Sequence, residues 1–155
     1  MSHVHVREFA SSDVDGVLEL YLSEDTWFED IGVSKEYILE CSRRQDFKFI
    51  VAEEENRLIG FIGFLFFTNV GRCEVGPIVV SRKKRNEGVG RLLVSEALKF
   101  LAGKGMKRAV VRIKAANPSA TSFFMKCGFA FEAYLRHYTS QGEDVVQLVI
   151  YFPVT

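Results

Sequence analysis

Neither sign of charge is in surplus: twenty Lys and Arg face twenty Asp and Glu, and the formal net charge is zero. A global field drawing the chain to nucleic acid or an anionic membrane is therefore excluded, and any anion it binds must be held locally. Cysteine is scarce. Cys41, Cys73 and Cys127 are odd in number, far apart and in no C-x-x-C arrangement, so neither a disulfide framework nor a zinc site is expected. His3, His5 and His137 also lack ligand-like spacing, and no metal is expected. Only three prolines interrupt the 155 residues, which argues against long disordered tails. The longest apolar run, LIGFIGFLFF at 58–67, falls well short of a membrane span, and MSHVHVREF has no basic region leading into an apolar core. A soluble, cytoplasmic protein with no membrane or nucleic-acid partner is the expectation.

What is present is globular: 48% hydrophobic and 26% charged residues, in a length that suits one domain spanning 1–155. HVHVREF alternates as a strand, and SSDVDGVLELYL places Val14, Val17, Leu18 and Tyr21 at helical spacing. SKEYILECSRR, from Ser34, reads as a second helix with a serine cap. FKFIVAEE and LIGFIGFLFF, joined by a polar turn at Glu55 to Arg57, read as a hairpin. CEVGPIVV is a further strand carrying Gly76 and Pro77 inside it; a proline cannot donate to a ladder, so a bulge or an edge is expected there. A long helix from Glu87 carries Val89, Leu92, Leu93, Ala97, Phe100 and Leu101 on one stripe and stops at GKG. KRAVVRIKA, a helix capped by Asn117 and stopped at Gly128, and two last strands around TSQGED complete the chain. The order β-α-α-β-β-β-α-β-α-β-β predicts an α/β (α+β mixed) fold with a mixed sheet of about seven strands and helices on both faces.

The segment SRKKRNEGVGRLL puts a cationic cluster and two glycines at the mouth of the long helix. A helix N-terminus offers unpaired N–H groups and a positive dipole end, and glycine lets a ligand approach the backbone, so a phosphate fits. A basic surface loop with small residues for close packing fits as well. The segment lacks G-x-x-x-x-G-K-[ST], and no G-x-G-x-x-G follows the first strand, which speaks against P-loop and dinucleotide-binding domains.

The strand CEVGPIVV followed by Arg85-x-x-Gly88-x-Gly90 at a helix start resembles the acyl-CoA signature of the GNAT superfamily of N-acyltransferases. NPSATSFFMKCGF, 117–129, resembles that family's second motif, ending in Lys126, Gly128 and Phe129, and the element order is also the family's. The resemblance implies an N-acetyltransferase that uses acetyl-CoA as cosubstrate and acylates a primary amine, on a small molecule or a peptide, in a ternary complex. It implies that main-chain N–H groups of Arg85, Asn86, Glu87, Gly88, Val89, Gly90 and Arg91 cradle the pyrophosphate. Ile78, Val79 and Val80 would hold the pantetheine arm where their strand splays from the one at 107–114. Asn117 is either a pantetheine contact or a plain helix cap, and Lys126 is a candidate for the nucleotide phosphates.

By the same resemblance Ile78 N–H is the oxyanion donor, and Glu74, eleven residues before Arg85, stands where some members carry a general base. Period-two alternation would place Glu74, Gly76, Ile78 and Val80 on one face. Phe124 departs from the family pattern: many members have there a tyrosine that protonates the departing thiolate, and Tyr134, Tyr138 or water are the alternatives. That departure leaves a non-catalytic acyl-CoA-binding or sensing module as the alternative reading. The resemblance also implies an acceptor site between the two early helices and the turn TSQGED, with Trp27, Phe28 and Glu29 in an acidic, aromatic segment that suits either a cationic amine or a solvated loop anchored by its aromatics. Apolar residues near Val149 to Phe152 would permit a homodimer.

Overall fold

The computed structural model describes residues 3–24 and 32–154. Seven strands form one mixed sheet in the order β1-β2-β3-β4-β5-β7-β6. They are β1 (His5–Glu8), β2 (Phe47–Glu54), β3 (Arg57–Phe67), β4 (Arg72–Val80), β5 (Arg108–Lys114), β6 (Ala130–Leu135) and β7 (Val145–Tyr151). The helices are α1 (Val14–Leu22), α2 (Lys35–Arg43), α3 (Val89–Gly103) and α4 (Pro118–Lys126). Every neighbouring pair is antiparallel except β4 with β5, whose connection passes through α3.

Local chemistry accounts for the boundaries. Ser34 caps α2 by accepting from Tyr37 N–H at 3.1 Å, and Asn117 caps α4 by accepting from Ala120 N–H at 3.2 Å. The β2–β3 turn takes Glu55 and Asn56 through φ 51° and 65°, the paired left-handed conformation whose twist matches a tight hairpin. α4 ends with Gly128 N–H on Met125 O and Phe129 N–H on Phe124 O, at 3.0 and 3.1 Å, which satisfies two otherwise orphaned carbonyls.

The core lies in two layers. Val75, Leu93, Val94, Ala97, Leu101, Val111 and Phe124 fill the space between the sheet and α3 and α4. Val17, Tyr21, Ile38, Phe49, Phe61 and Val79 fill the other face under α1 and α2. Full burial of such side chains contributes about 1.5–3 kcal/mol each. The stripe of α3 differs from the sequence expectation at three positions: Leu92 is 38% exposed, while Val94 and Leu98 are buried. The helix also begins two residues later than expected, at Val89. The apolar stretch at 149–152 does not present an open edge either. β7 is enclosed by β5 and β6, so Val149 and Ile150 are buried and only Tyr151, at 60%, is strongly exposed.

Candidate active site

β4 and β5 pair at Arg72–Arg108, Cys73–Ala109 and Glu74–Val110, and no further. β5 goes on pairing with β7 to Lys114, and β4 goes on pairing with β3 to Val80. Past Glu74 each strand keeps its outer neighbour and loses the inner one, which opens a fork in the sheet. The irregularity expected at Gly76-Pro77 sits in the same place. Between the Ile62–Ile78 and Phe64–Val75 pairs, Gly76 and Pro77 oppose the single residue Gly63, a bulge that bends the strand.

The bulge corrects the facing of Glu74. Cys73 and Val75 pack toward α3, and so do Ile78 and Val80, because one extra residue reverses the strand's parity between them. Glu74 therefore points to the α1/α2 side, with Val79 and away from Ile78. There its Oε1 accepts from Arg112 Nη1 at 2.7 Å. Arg112 is further held by Gln147 Oε1, 2.9 Å from its Nε. Both belong to the row that alternates with the buried Val111 and Ile113 of β5.

At the other end of the fork, β4 leads through the short turn Arg82–Lys84 into α3. Gly88 is the N-cap, with φ 86° and no side-chain cap, and the first α3 amide bonded to a carbonyl outside the helix proper is Leu92, on Gly88 O at 3.0 Å. Helix geometry leaves the N–H groups of Val89, Gly90 and Arg91 without intrahelical acceptors. A Cβ at Gly88 would meet nothing within 4 Å, whereas one at Gly90 would come 3.1 Å from Phe123 Cζ. Gly88 thus supplies a left-handed bend and open backbone; Gly90 lets α4 approach. Uncapped amides at a positive dipole end, beside open space, fit a diphosphate.

The Arg85 side chain is already engaged, with Nε on Val80 O at 3.1 Å and Nη2 on Glu24. Lys84 is tied to Glu54 at 2.5 Å, and Arg91 donates to Lys126 O at 3.1 Å. The loop is therefore shaped by its own side chains, and the Arg85 N–H, expected among the cradle donors, is instead spent on Arg82 O at 3.5 Å, which leaves the amides beyond it.

A cleft of about 1160 Å³ joins these features through the sheet. It is lined by Glu74, Ile78, Val79, Val80, Arg85, Asn86, Gly88, Gly90, Arg91, Asn117, Phe124 and Lys126. The side chains of Val89, which turns into the core, and Glu87, which is exposed, do not line it; the contact expected of these two residues is through their main-chain N–H groups. Trp27, Phe28 and Glu29 lie outside the described residues. Sequence reasoning missed Arg112, Lys114 and Cys127, and on the α1/α2 side Tyr21, Tyr37, Cys41 and Arg44. The alternation in KRAVVRIKA already set Arg112 and Lys114 on the face opposite the apolar row.

Phe124 is 3% exposed, with its ring centroid 5.0 Å from that of Phe123 and 5.5 Å from that of Phe129. Tyr134 donates its hydroxyl to Asp144 Oδ2 at 2.7 Å, and neither it nor Tyr138 lines the cleft. Burial pushes the Tyr37 hydroxyl up to about 12, helped by its hydrogen bond with Cys41, and raises Tyr21 for the same first reason.

Residues 14–129 match the Acetyltransferase (GNAT) family. Among curated proteins, the chain is 26% identical over 119 residues to an N-alpha-acetyltransferase of Sulfurisphaera tokodaii, covering 70% of this chain and 71% of that one. It is 28% identical over 142 residues to a mycothiol acetyltransferase of Amycolatopsis mediterranei, covering 81% of this chain but 46% of that one, about half its length. A structure from Salmonella typhimurium, determined with its cofactor acetyl-CoA, shares the fold with TM-score 0.84 at 18% identity, over 99% of this chain and 96% of that one. With the family's fold and three quarters of its length matched, this chain is an acyltransferase belonging to the Acetyltransferase (GNAT) family.

Proposed function

We propose that the chain transfers an acetyl group from acetyl-CoA to a primary amine, with both substrates bound together. The observation that carries this reading is the continuity of one cleft from the uncapped start of α3, through the β4–β5 fork, to Glu74 on the opposite face. Amides at 86–91 hold the diphosphate, and the main chain of Ile78, Val79 and Val80 holds the pantetheine arm along the unpaired side of β4. Ile78 N–H faces the thioester oxygen as it gains charge. The amine nitrogen bonds to the acetyl carbon, the carbon–sulfur bond breaks, and Glu74 takes the amine's proton.

Oε1 of Glu74 is occupied by Arg112, and Oε2 has no partner among the described residues. This leaves one carboxylate oxygen for the amine. With Phe124 buried and without a hydroxyl, the departing sulfur, with an ordinary thiol value near 8.5, is protonated from solvent. The acceptor enters from the α1/α2 side, where the segment bearing Trp27, Phe28 and Glu29 contributes in this reading. A panel of spermidine, free amino acids, and peptides offering an N-terminus or a lysine, read by mass spectrometry, is expected to give a mono-acetylated product. Release of thiol without any acetylated amine would contradict the reading.

A further inference from the structure

We propose that Arg112 is a positioning residue, clamped by Gln147 so that its charge and orientation fix the carboxylate of Glu74 at the root of the fork. This rests on the reading of Glu74 as the base. Arg112 lies two residues past Val110, the last β5 residue that pairs with β4, so no ladder bond sets the strand spacing where it stands. Its bond to Glu74 links the two strands across that opening.

The guanidinium is gripped on two edges. Nη1 donates to Glu74, and Nε donates to Gln147, the residue directly opposite on β7. Gln147 is itself oriented by donating through Nε2 to Glu132 Oε1 at 2.8 Å on β6, and Glu132 is paired with Arg108. The row thus alternates carboxylate, guanidinium, amide, carboxylate, guanidinium across four strands. The neutral Gln147 Oε1 accepts a hydrogen bond from Arg112 Nε without cancelling its charge, so that charge is left to Glu74. Glu132, which would compete for it, is taken up by Arg108.

Among the described residues, few other charged or titratable groups line the cleft on the side of Glu74. β3 offers the apolar Leu65 opposite it. β5 adds Lys114, paired with Glu143 at 3.3 Å, and the Tyr138 ring lies 5.9 Å from the Arg112 guanidinium carbon. From α1 and α2 come Tyr21, Tyr37, Cys41 and Arg44, the last bound to Asp46 at 2.8 Å. A fixed carboxylate keeps the attacking geometry.

The test measures kcat, KM for the best amine of the panel and coenzyme A affinity for Arg112→Met, Arg112→Lys and Gln147→Glu in the full chain. Arg112→Met is expected to lower kcat roughly 100-fold while coenzyme A affinity and the KM for the amine hold within about twofold. Gln147→Glu should lower kcat in the same way by less, and Arg112→Lys should restore only part of the rate, because an ammonium lacks the planar fork that grips Glu74 and Gln147 together. Should Arg112→Met fail to fold, the other two variants decide. Kinetic constants that superimpose on the wild type, or a loss confined to coenzyme A affinity, overturn this proposal. An active Glu74→Gln overturns the base reading instead, whatever Arg112 does.

Discussion

Phe123 stands against Gly90, so close that a Cβ on residue 90 would meet its ring at 3.1 and 3.3 Å. α3 and α4 are therefore packed through a missing side chain beside the amides assigned to the diphosphate. Gly90→Ala should push Phe123, which lines the cleft, and weaken coenzyme A binding more than it lowers Tm, since alanine recovers about 1 kcal/mol of helix propensity. Gly88→Ala meets no atom but forces a side chain to φ 86°, at about 1–2 kcal/mol. Its Tm should drop by about 2–4 °C for each of those kcal/mol. Thermal melts and coenzyme titrations of both variants check the contrast.

Asp13 ties the start of α1 to β1. Its carboxylate, 8% exposed, accepts from Arg7 at 2.7 and 2.9 Å and from Ala10 N–H at 2.8 Å. The Arg7 hydrogen bonds hold it below the usual carboxylate range. The stabilisation is therefore complete above the unfolded value near 4 and is lost as pH falls through the lower folded value. Asp13→Asn should cost about 1.5–3 kcal/mol near neutrality. In urea melts the gap between variant and wild type should close below about pH 4, where the unfolded carboxyl is already protonated.

Cys73 and Cys127 should differ in reactivity. Burial pushes Cys73 up to about 12 and also raises Cys127, but Cys127 is only half-buried and lines the cleft. Iodoacetamide at pH 8 followed by peptide mapping should label Cys127 slowly and leave Cys73 unmodified. Coenzyme A should protect Cys127. Labelling of Cys127 at the same rate with and without coenzyme would contradict its place in the donor cleft.

The elements and their order were legible because caps, glycine stops and apolar periods act locally: Ser34, Asn117 and Gly128 each do in the structure what their spacing promised. The Gly76-Pro77 irregularity was legible for the same reason, since proline cannot serve a ladder. Its consequence was not, because a bulge reverses every facing beyond it, and Glu74 and Ile78 came out on opposite sides of the sheet. The partners of Glu74 were also hidden. Arg112 meets it from 38 residues away, and Gln147 meets Arg112 from 35; such pairs depend on register between strands rather than on any local pattern. Leu92 shows the smaller version of that limit, for the helix buries the stripe Leu93, Val94, Ala97, Leu98 and Leu101 and leaves Leu92 at its edge.

The central claim is that bare amides at the start of α3 and the open side of β4 hold the donor. A titration of the nitrogen-15-labelled chain with coenzyme A, followed by two-dimensional NMR, reads those amides directly. The account predicts saturable changes at one coenzyme per chain, largest at 86–91 and 78–80. Unmoved resonances there, with or without changes elsewhere, would contradict it.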